Sequence, residues 1–373
     1  MISLIDRFID KLIKESTPEK PIWNIESIKH GKPAHWNYID GCMITSLIEL
    51  YHVKKDQKYL DFSKAFIDHF IDSDGSIKGY NISHYNVDDI CEGRVLFDLL
   101  RMTGDQKYLK AIEFIHQHIK TQPRTKEGNF WHKLIYPNQV WLDGLFMAQP
   151  FYTRYETTLN HKQNYDDIIH QFERVRLHMF DPSKKLYVHG YDAEKTIFWA
   201  DPVTGKSKNF WLRAMGWYVV AIVDVMSYME DERVNTFFKP LLQEIVDGLL
   251  QYQDPKTKMF YQVVDMKDQP GNYVEASGSA LISYAILKGT RLNALPPHYK
   301  SKGIEIFYGI IDTYLSEKDG DLNLGGICLV AGLGPENNRR RDGSYAYYIS
   351  EPIVENDAKG VGPLIMAYTE VIR

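Results

Sequence analysis

The chain has 373 residues, 44% hydrophobic and 25% charged, with a formal net charge of -5. That length and mix suit a folded globular protein and exclude a disordered or collagen-like one. The negative balance supplies no basic field for nucleic acid, so none is expected as a partner. The three cysteines, Cys42, Cys91 and Cys328, are odd in number and contain no Cys-x-x-Cys, which argues against a disulfide framework or a zinc site. No apolar run approaches the roughly 20 residues that span a bilayer. The first residues lack the basic start and apolar centre of a signal peptide. A cytoplasmic protein without membrane contact is the expectation.

In chain order, residues 1–16 read as an amphipathic helix. Asp56-Gln57-Lys58-Tyr59-Leu60 then recurs 49 residues later as Asp105-Gln106-Lys107-Tyr108-Leu109. Each copy opens a helical pattern, Phe62, Ala65, Phe66 and Phe70 after the first, Ile112, Ile115 and Ile119 after the second. His161-Lys162-Gln163-Asn164-Tyr165 is a weaker echo. A period near 50 predicts stacked helix pairs. This amphipathic series covers 1–16, 58–72, 106–120, 163–179, 234–252 and 297–315.

A second series is apolar on most faces. Its segments start near Trp36, Asp88, Trp141, Phe210, Glu275 and Lys359, and each carries an early glycine: Gly41, Gly93, Gly144, Gly216, Gly278 and Gly362. Glycine inside a helix costs about 1 kcal/mol relative to alanine, so its recurrence predicts close approach of backbones or ligand. Interleaved, the two series give six hairpins with the apolar helices inside: an all-α, single-domain (α/α)6 barrel over 1–373. Strand-like pieces at 186–189 and 260–263 lie between outer and inner helices. The loops that carry them end at the N-termini of the inner ring and gather on one face.

That face collects Asp40, Asp88, Asp89, Glu92, Asp143, Arg213, Glu275 and Asp357. The incoming loops add His35, Trp36, Asn37, Tyr38, His132, Lys133, Tyr136, His189, Trp211, Trp217, Tyr273 and the segment 341–348. Aromatic rings stack on the C–H faces of sugars, amides and charged groups bond hydroxyls, and Arg or Lys pairs with a carboxylate. A single Asp at a helix start is more often a cap than a catalyst. Asp143 stands out because Trp141 and His132 flank it. Arg213, between Trp211 and Trp217 in an apolar helix, needs an anionic partner, either a structural acid or a ligand. His132 and His189 lack zinc spacing. Trp36, Trp131 and Trp141 are equally core residues or sugar platforms. The run Asn337-Asn338-Arg339-Arg340-Arg341 reads most simply as a solvated loop. No phosphate loop, dinucleotide glycine motif or nucleophile elbow occurs.

The motifs Phe130-Trp131-His132-Lys133, Trp141-Leu142-Asp143-Gly144, Phe210-Trp211-Leu212-Arg213, Glu275-Ala276-Ser277-Gly278-Ser279, Arg341-Asp342-Gly343-Ser344-Tyr345 and Glu355-Asn356-Asp357-Ala358-Lys359-Gly360 resemble, in order, those of glycoside hydrolase family 105, the unsaturated rhamnogalacturonyl hydrolases. The resemblance implies an (α/α)6 barrel that hydrates the double bond of a 4,5-unsaturated uronic acid at the non-reducing end of pectin-derived oligosaccharides. It implies Asp143 as proton donor and Asp88 as second acid, with the adjacent Asp89 left open for that role. The expected substrate contacts are Asn37, Tyr38, Trp131, His132, Lys133, Tyr136, Trp141, His189, Trp211, Arg213 and Trp217. No metal or organic cofactor is expected, and the partner is the oligosaccharide itself, met by a monomer or weak homo-oligomer. No contact is assigned to the 332–341 segment. Three rivals stand beside this reading: an unsaturated glucuronyl hydrolase on glycosaminoglycan fragments, an inverting glycosidase with carboxylates about 6.5–9.5 Å apart, and a non-catalytic sugar-binding protein.

Overall fold

The repeated Asp-Gln-Lys-Tyr-Leu motif is a helix start. Asp56 and Asp105 are N-caps whose carboxylates accept from the Lys58 and Lys107 amides at 3.2 and 3.0 Å, and the two tyrosines are buried. The helix before each motif stops on a left-handed residue, Lys55 (φ 57°) or Gly104 (φ 72°). Stop and start together make the tight turn from an inner helix to the next outer one. The echo at Tyr165 is weaker because Asn164 caps without a side-chain bond.

The structure is a computed structural model that describes residues 2–373. Its helices are α1 (Ile2–Glu15), α2 (Ile25–Lys29), α3 (Tyr38–Lys54), α4 (Gln57–Phe70), α5 (Asp88–Cys91), α6 (Leu96–Thr103), α7 (Gln106–Thr121), α8 (Leu142–Thr158), α9 (Tyr165–Met179), α10 (Leu212–Tyr228), α11 (Lys239–Leu250), α12 (Ala276–Arg291), α13 (Tyr299–Tyr314), α14 (Tyr345–Ser350) and α15 (Ala358–Ile372). The expected outer series is α1, α4, α7, α9, α11 and α13; Met1, the first residue of the expected first helix, lies outside the described residues. The inner series is α3, α5–α6, α8, α10, α12 and α15. The inner helices pack in sequence, α3 on α5, α5 on α8, α8 on α10, α10 on α12 and α12 on α15. The ring closes where α15 returns to α3, so the all-α toroid of six hairpins is the observed fold.

Three features depart from the sequence reading. The second inner helix is not continuous, because a 3₁₀ turn, Glu92–Val95, separates α5 from α6. Two buried titratable side chains turn inward there: Glu92 accepts from the Asn37 amide at 2.9 Å, and Arg94 reaches Asp224 at 3.2 Å and the Phe146 carbonyl. The fifth outer segment, expected at 234–252, opens as a π turn, Val234–Phe238, before α11 begins. The short helices α2 and α14 were not foreseen; both lie in long loops without a hydrophobic period.

Eight short strands occur among the described residues, in four antiparallel pairs: β1 (Gln139–Trp141) with β4 (Gly190–Asp192), β2 (Phe180–Asp181) with β3 (Leu186–Tyr187), β5 (Leu315–Lys318) with β6 (Asp321–Leu324), and β7 (Ile327–Cys328) with β8 (Ile353–Val354). The β1–β4 ribbon sets Trp141 opposite Gly190. It thereby ties the loop before α8 to the loop before α10.

Inner-ring glycines sit where helices touch. A Cβ on Gly41 would fall 2.8 Å from the Glu92 Cα, and one on Gly362 2.8 Å from the Cys42 carbonyl oxygen. The connections from inner to outer helix are short, and those from outer to inner are long. Every long loop therefore ends at an inner-helix N-terminus, at one end of the ring.

Candidate active site

Two acids at the inner-helix starts are caps, and a third, Asp40, is held by side-chain donors. Glu275 accepts from the Ser277 and Gly278 amides at 3.1 and 2.7 Å and from the Cys328 amide at 3.0 Å. Asp357 accepts from the Lys359 amide at 2.9 Å. Asp40 takes the Trp23 indole N–H at 2.8 Å and the Asn37 amide group at 2.7 Å; burial pushes its carboxyl up to about 6 despite those donors.

Asp143 differs. The first turn of α8 has no side-chain cap bond, and the buried Asp143 Oδ2 has no hydrogen-bond partner. His189 Nε2 lies 3.2 Å from that oxygen, out of line for a hydrogen bond. The His189 ring is fully buried, its Nδ1 is 2.8 Å from the Tyr348 hydroxyl, and its centroid is 4.7 Å from Trp211 and 5.6 Å from Trp141. Trp141 stacks on His132 at 4.2 Å, with planes 17° apart, and Tyr136 packs against Trp141 at 4.7 Å. Trp199 and Leu333 back this aromatic wall.

Asp88 occupies another electrostatic setting. Lys133 Nζ lies 2.6 Å from its Oδ2, and His132 Nε2 lies 3.4 Å from its Oδ1. Burial raises its pKa, but Lys133 first and then His132 outweigh burial and leave it below the usual carboxylate value. Asp89, beside it, is pushed up to about 7 by burial and by the Asp88 charge; its carboxylate takes a hydrogen bond from Asn86 at 2.8 Å. His132 is buried and pushed down to about 4 by desolvation, so its ring is neutral at pH 7. It links the two centres, set against Asp88 on one side and Trp141 on the other.

A cavity of about 150 Å³ is lined by Asp88, Asp89, Lys133, Asn37, Tyr38 and Glu26, with Lys32 and His35 at its edge. Asn37 and Tyr38 thus reach the mouth, although Asn37 is also the cap of α3. Asp143 does not line this cavity, and its side chain keeps 11% of its surface exposed. Trp131 is half-buried and bonds Asn138 at 3.1 Å. Trp36 gives its indole N–H to the Asp89 carbonyl and meets Phe70 edge-on, as a core residue.

Arg213 and Trp217 sit deeper. Arg213 is 1% exposed, and its guanidinium donates to Ser277 Oγ at 3.1 Å and to the Cys328 carbonyl, with Glu275 4.0 Å away. The Trp211 ring covers it at 4.8 Å. Its bonded acceptors are thus a hydroxyl and a carbonyl of the protein, with Glu275 nearby, and its buried Nε has no hydrogen-bond partner among the described residues. Trp217, one turn further along α10, is buried against Phe146 at 4.3 Å. Glu26 was missed because α2 was missed. The Tyr348–His189 contact joins residues 159 apart, and no local pattern marks it. Among the described residues no group of three His, Cys, Asp or Glu side chains is arranged to hold a metal ion.

Residues 4–373 match the profile of Glycosyl Hydrolase Family 88. A solved glycoside hydrolase of family 105 from C. acetobutylicum ATCC 824 is 41% identical, covers 99% of this chain and 98% of its own, and superposes with a TM-score of 0.90. A 24.9 kDa protein in the picA locus of Rhizobium radiobacter is 36% identical over 229 residues, 60% of this chain and 97% of its own. An unsaturated rhamnogalacturonyl hydrolase of Bacillus subtilis (strain 168) is 25% identical over 272 residues, 69% of this chain and 72% of its own.

Proposed function

The chain belongs to the glycoside hydrolases of families 88 and 105, and on that premise we propose that it releases a 4,5-unsaturated uronic acid from the non-reducing end of rhamnogalacturonan-derived oligosaccharides by hydrating the C4=C5 bond. The observation that carries this reading is the contrast between two buried carboxyls. Asp88 is held ionised by Lys133 at 2.6 Å. Among the described residues Asp143 has no Lys or Arg partner, only a histidine, and it stands near Trp141 and Trp211, which pack on that histidine. On their partners we assign Asp88 the part of a fixed anion and Asp143 that of the group that passes the proton.

In this reaction Asp143 gives its proton to C4, and positive charge develops at C5 and the ring oxygen. Water adds at C5 and returns a proton to the Asp143 carboxylate. The C5 hydroxyl then loses its proton as the bond to the ring oxygen breaks, leaving a ketone at C5 and a hydroxyl on C1. That hemiacetal expels the neighbouring sugar and becomes an aldehyde. Asp88 and Lys133, at the mouth, hold substrate hydroxyls, and Trp141 and Trp211 face the ring. Among the described residues no helix is long and apolar enough to cross a membrane; the cytoplasmic setting is proposed from the three free cysteines, which suit a reducing compartment.

The choice of rhamnogalacturonan rests on the motif resemblance and on the name of the Bacillus subtilis relative. The test is loss of the alkene's ultraviolet absorbance with pectin-derived and chondroitin-derived unsaturated disaccharides side by side. The expected result is faster loss with the pectin-derived compound. Faster turnover of the chondroitin-derived one makes the enzyme a glucuronyl hydrolase, and turnover of saturated glycosides alone overturns hydration.

A further inference from the structure

Three consecutive arginines, 339 to 341, stand in the loop before α14. The first two are exposed and paired: Arg339 with Glu336 at 2.5 Å and Arg340 with Glu351 at 2.7 Å. Arg341 is half-buried, and among the described residues its guanidinium makes no ion pair within 4.0 Å. Its backbone is pinned on both sides, the amide donating to the Asn338 carbonyl at 3.3 Å and the carbonyl accepting from the Gly334 amide at 2.8 Å. The space that a side chain on Gly332 would fill is bounded by Arg341 Nη1 at 3.2 Å and by Trp141 Cζ3 at 3.3 Å. The guanidinium therefore lies beside the indole that walls the catalytic group. Its charge also reaches the cavity mouth: burial raises the Glu26 carboxyl, Lys359 pulls it down further, and Arg341 and Arg213 add to that pull.

Among the described residues most other cations at this end are held by the protein, although Lys32 at the cavity edge is exposed and makes no ion pair and Arg213 Nε has no hydrogen-bond partner. Lys133 holds Asp88, Lys359 holds Asp357 at 3.1 Å and Glu26 at 3.2 Å, and Arg213 donates to Ser277 and a backbone carbonyl beside Glu275. A half-buried guanidinium without an acidic partner is free to meet an anion that arrives from outside. Its planar fork matches a carboxylate in two-point contact.

We propose that Arg341 binds the carboxylate of the uronic acid and sets the preference for a charged over a neutral sugar. This rests on the uronate reading of the site above. The sequence assigned the arginine run to solvent; the fold turns its third member inward.

The test uses the full chain, with Arg341→Gln and Arg341→Lys, on the unsaturated uronyl disaccharide and on its methyl ester. Loss of a charged hydrogen-bonded contact predicts that Arg341→Gln raises KM for the acid about tenfold to a hundredfold, with a much smaller change in kcat and little change for the ester. Arg341→Lys keeps part of the preference. Equal losses on acid and ester, or an unchanged acid preference, overturn the assignment. Binding of galacturonate, a saturated uronate that hydration cannot consume, separates the two levels. If the wild type is inert on every unsaturated uronide, the functional reading falls. Weaker galacturonate binding to Arg341→Gln than to wild type then still upholds the carboxylate contact, and equal binding overturns it.

Discussion

At the scale of single residues, the arrangement around Asp143 depends on which nitrogen of His189 carries a proton. Tyr348 is buried, and its hydroxyl has one partner, His189 Nδ1 at 2.8 Å. A buried hydroxyl that donated nowhere would forfeit a hydrogen bond, so Tyr348 donates and Nδ1 accepts. The ring's own hydrogen then sits on Nε2, 3.2 Å from Asp143. Out of line at rest, that N–H is near enough to donate to the carboxylate left after proton transfer once the carboxylate turns toward it. Tyr348→Phe removes the donor and lets the other tautomer form. The expected outcome is a fall in kcat of about tenfold to a hundredfold with KM changed little, together with a displaced pH–rate profile. A change in KM alone, with kcat and pH profile intact, would assign Tyr348 to packing. The bland reading of acids at helix starts holds for Glu275, whose carboxylate takes backbone amides on both oxygens, and for Asp357, which takes the Lys359 amide and its ammonium. It fails for Asp143, whose Oδ2 has no hydrogen-bond partner. Composition cannot distinguish these cases, because all are acids one or two residues from a helix start.

At the scale of elements, the inner ring is held by close helix contacts that glycine permits. Gly362 on α15 faces the Cys42 carbonyl on α3, at the seam that closes the barrel. Alanine is the better helix former by about 1 kcal/mol, so helix propensity alone predicts that Gly362→Ala stabilises. A methyl carbon 2.8 Å from a backbone oxygen reverses the sign, because overpacking of a tight interior costs about 1–3 kcal/mol. A lower Tm, measured by circular dichroism, is the expected result; an unchanged or higher Tm would mean that the seam has slack. The glycine series and the repeated Asp-Gln-Lys-Tyr-Leu start were legible because they are local and periodic. The interrupted second inner helix was not, since what tightens it is the distant Asn37 amide on Glu92 and the Asp224 partner of Arg94. The same limit hid α2, and with it Glu26, and it hid the inward turn of Arg341. The aromatic wall of His132, Tyr136 and Trp141 was legible as a cluster. That Arg213 would find its acceptors inside the protein, at Ser277 and Cys328, was not, because those residues come together only when the ring is assembled.

At the scale of the whole molecule, the site is a product of ring closure. Asp88 comes with α5, Asp143 with α8, Trp211 and Arg213 with α10, and Tyr348 with α14. Short inner-to-outer turns leave the long loops only one end on which to meet. The barrel thus brings acids, indoles and cations from distant parts of the sequence to one mouth. The most direct measurement is the ultraviolet absorbance of unsaturated rhamnogalacturonan disaccharide, followed alongside release of the neighbouring sugar, for wild type and Asp143→Asn. The wild type should lose absorbance in step with sugar release, and the variant should bind the disaccharide yet lose activity by about a hundredfold or more. Sugar released by the wild type while the absorbance persists, or an Asp143→Asn variant as active as the wild type, would contradict the account.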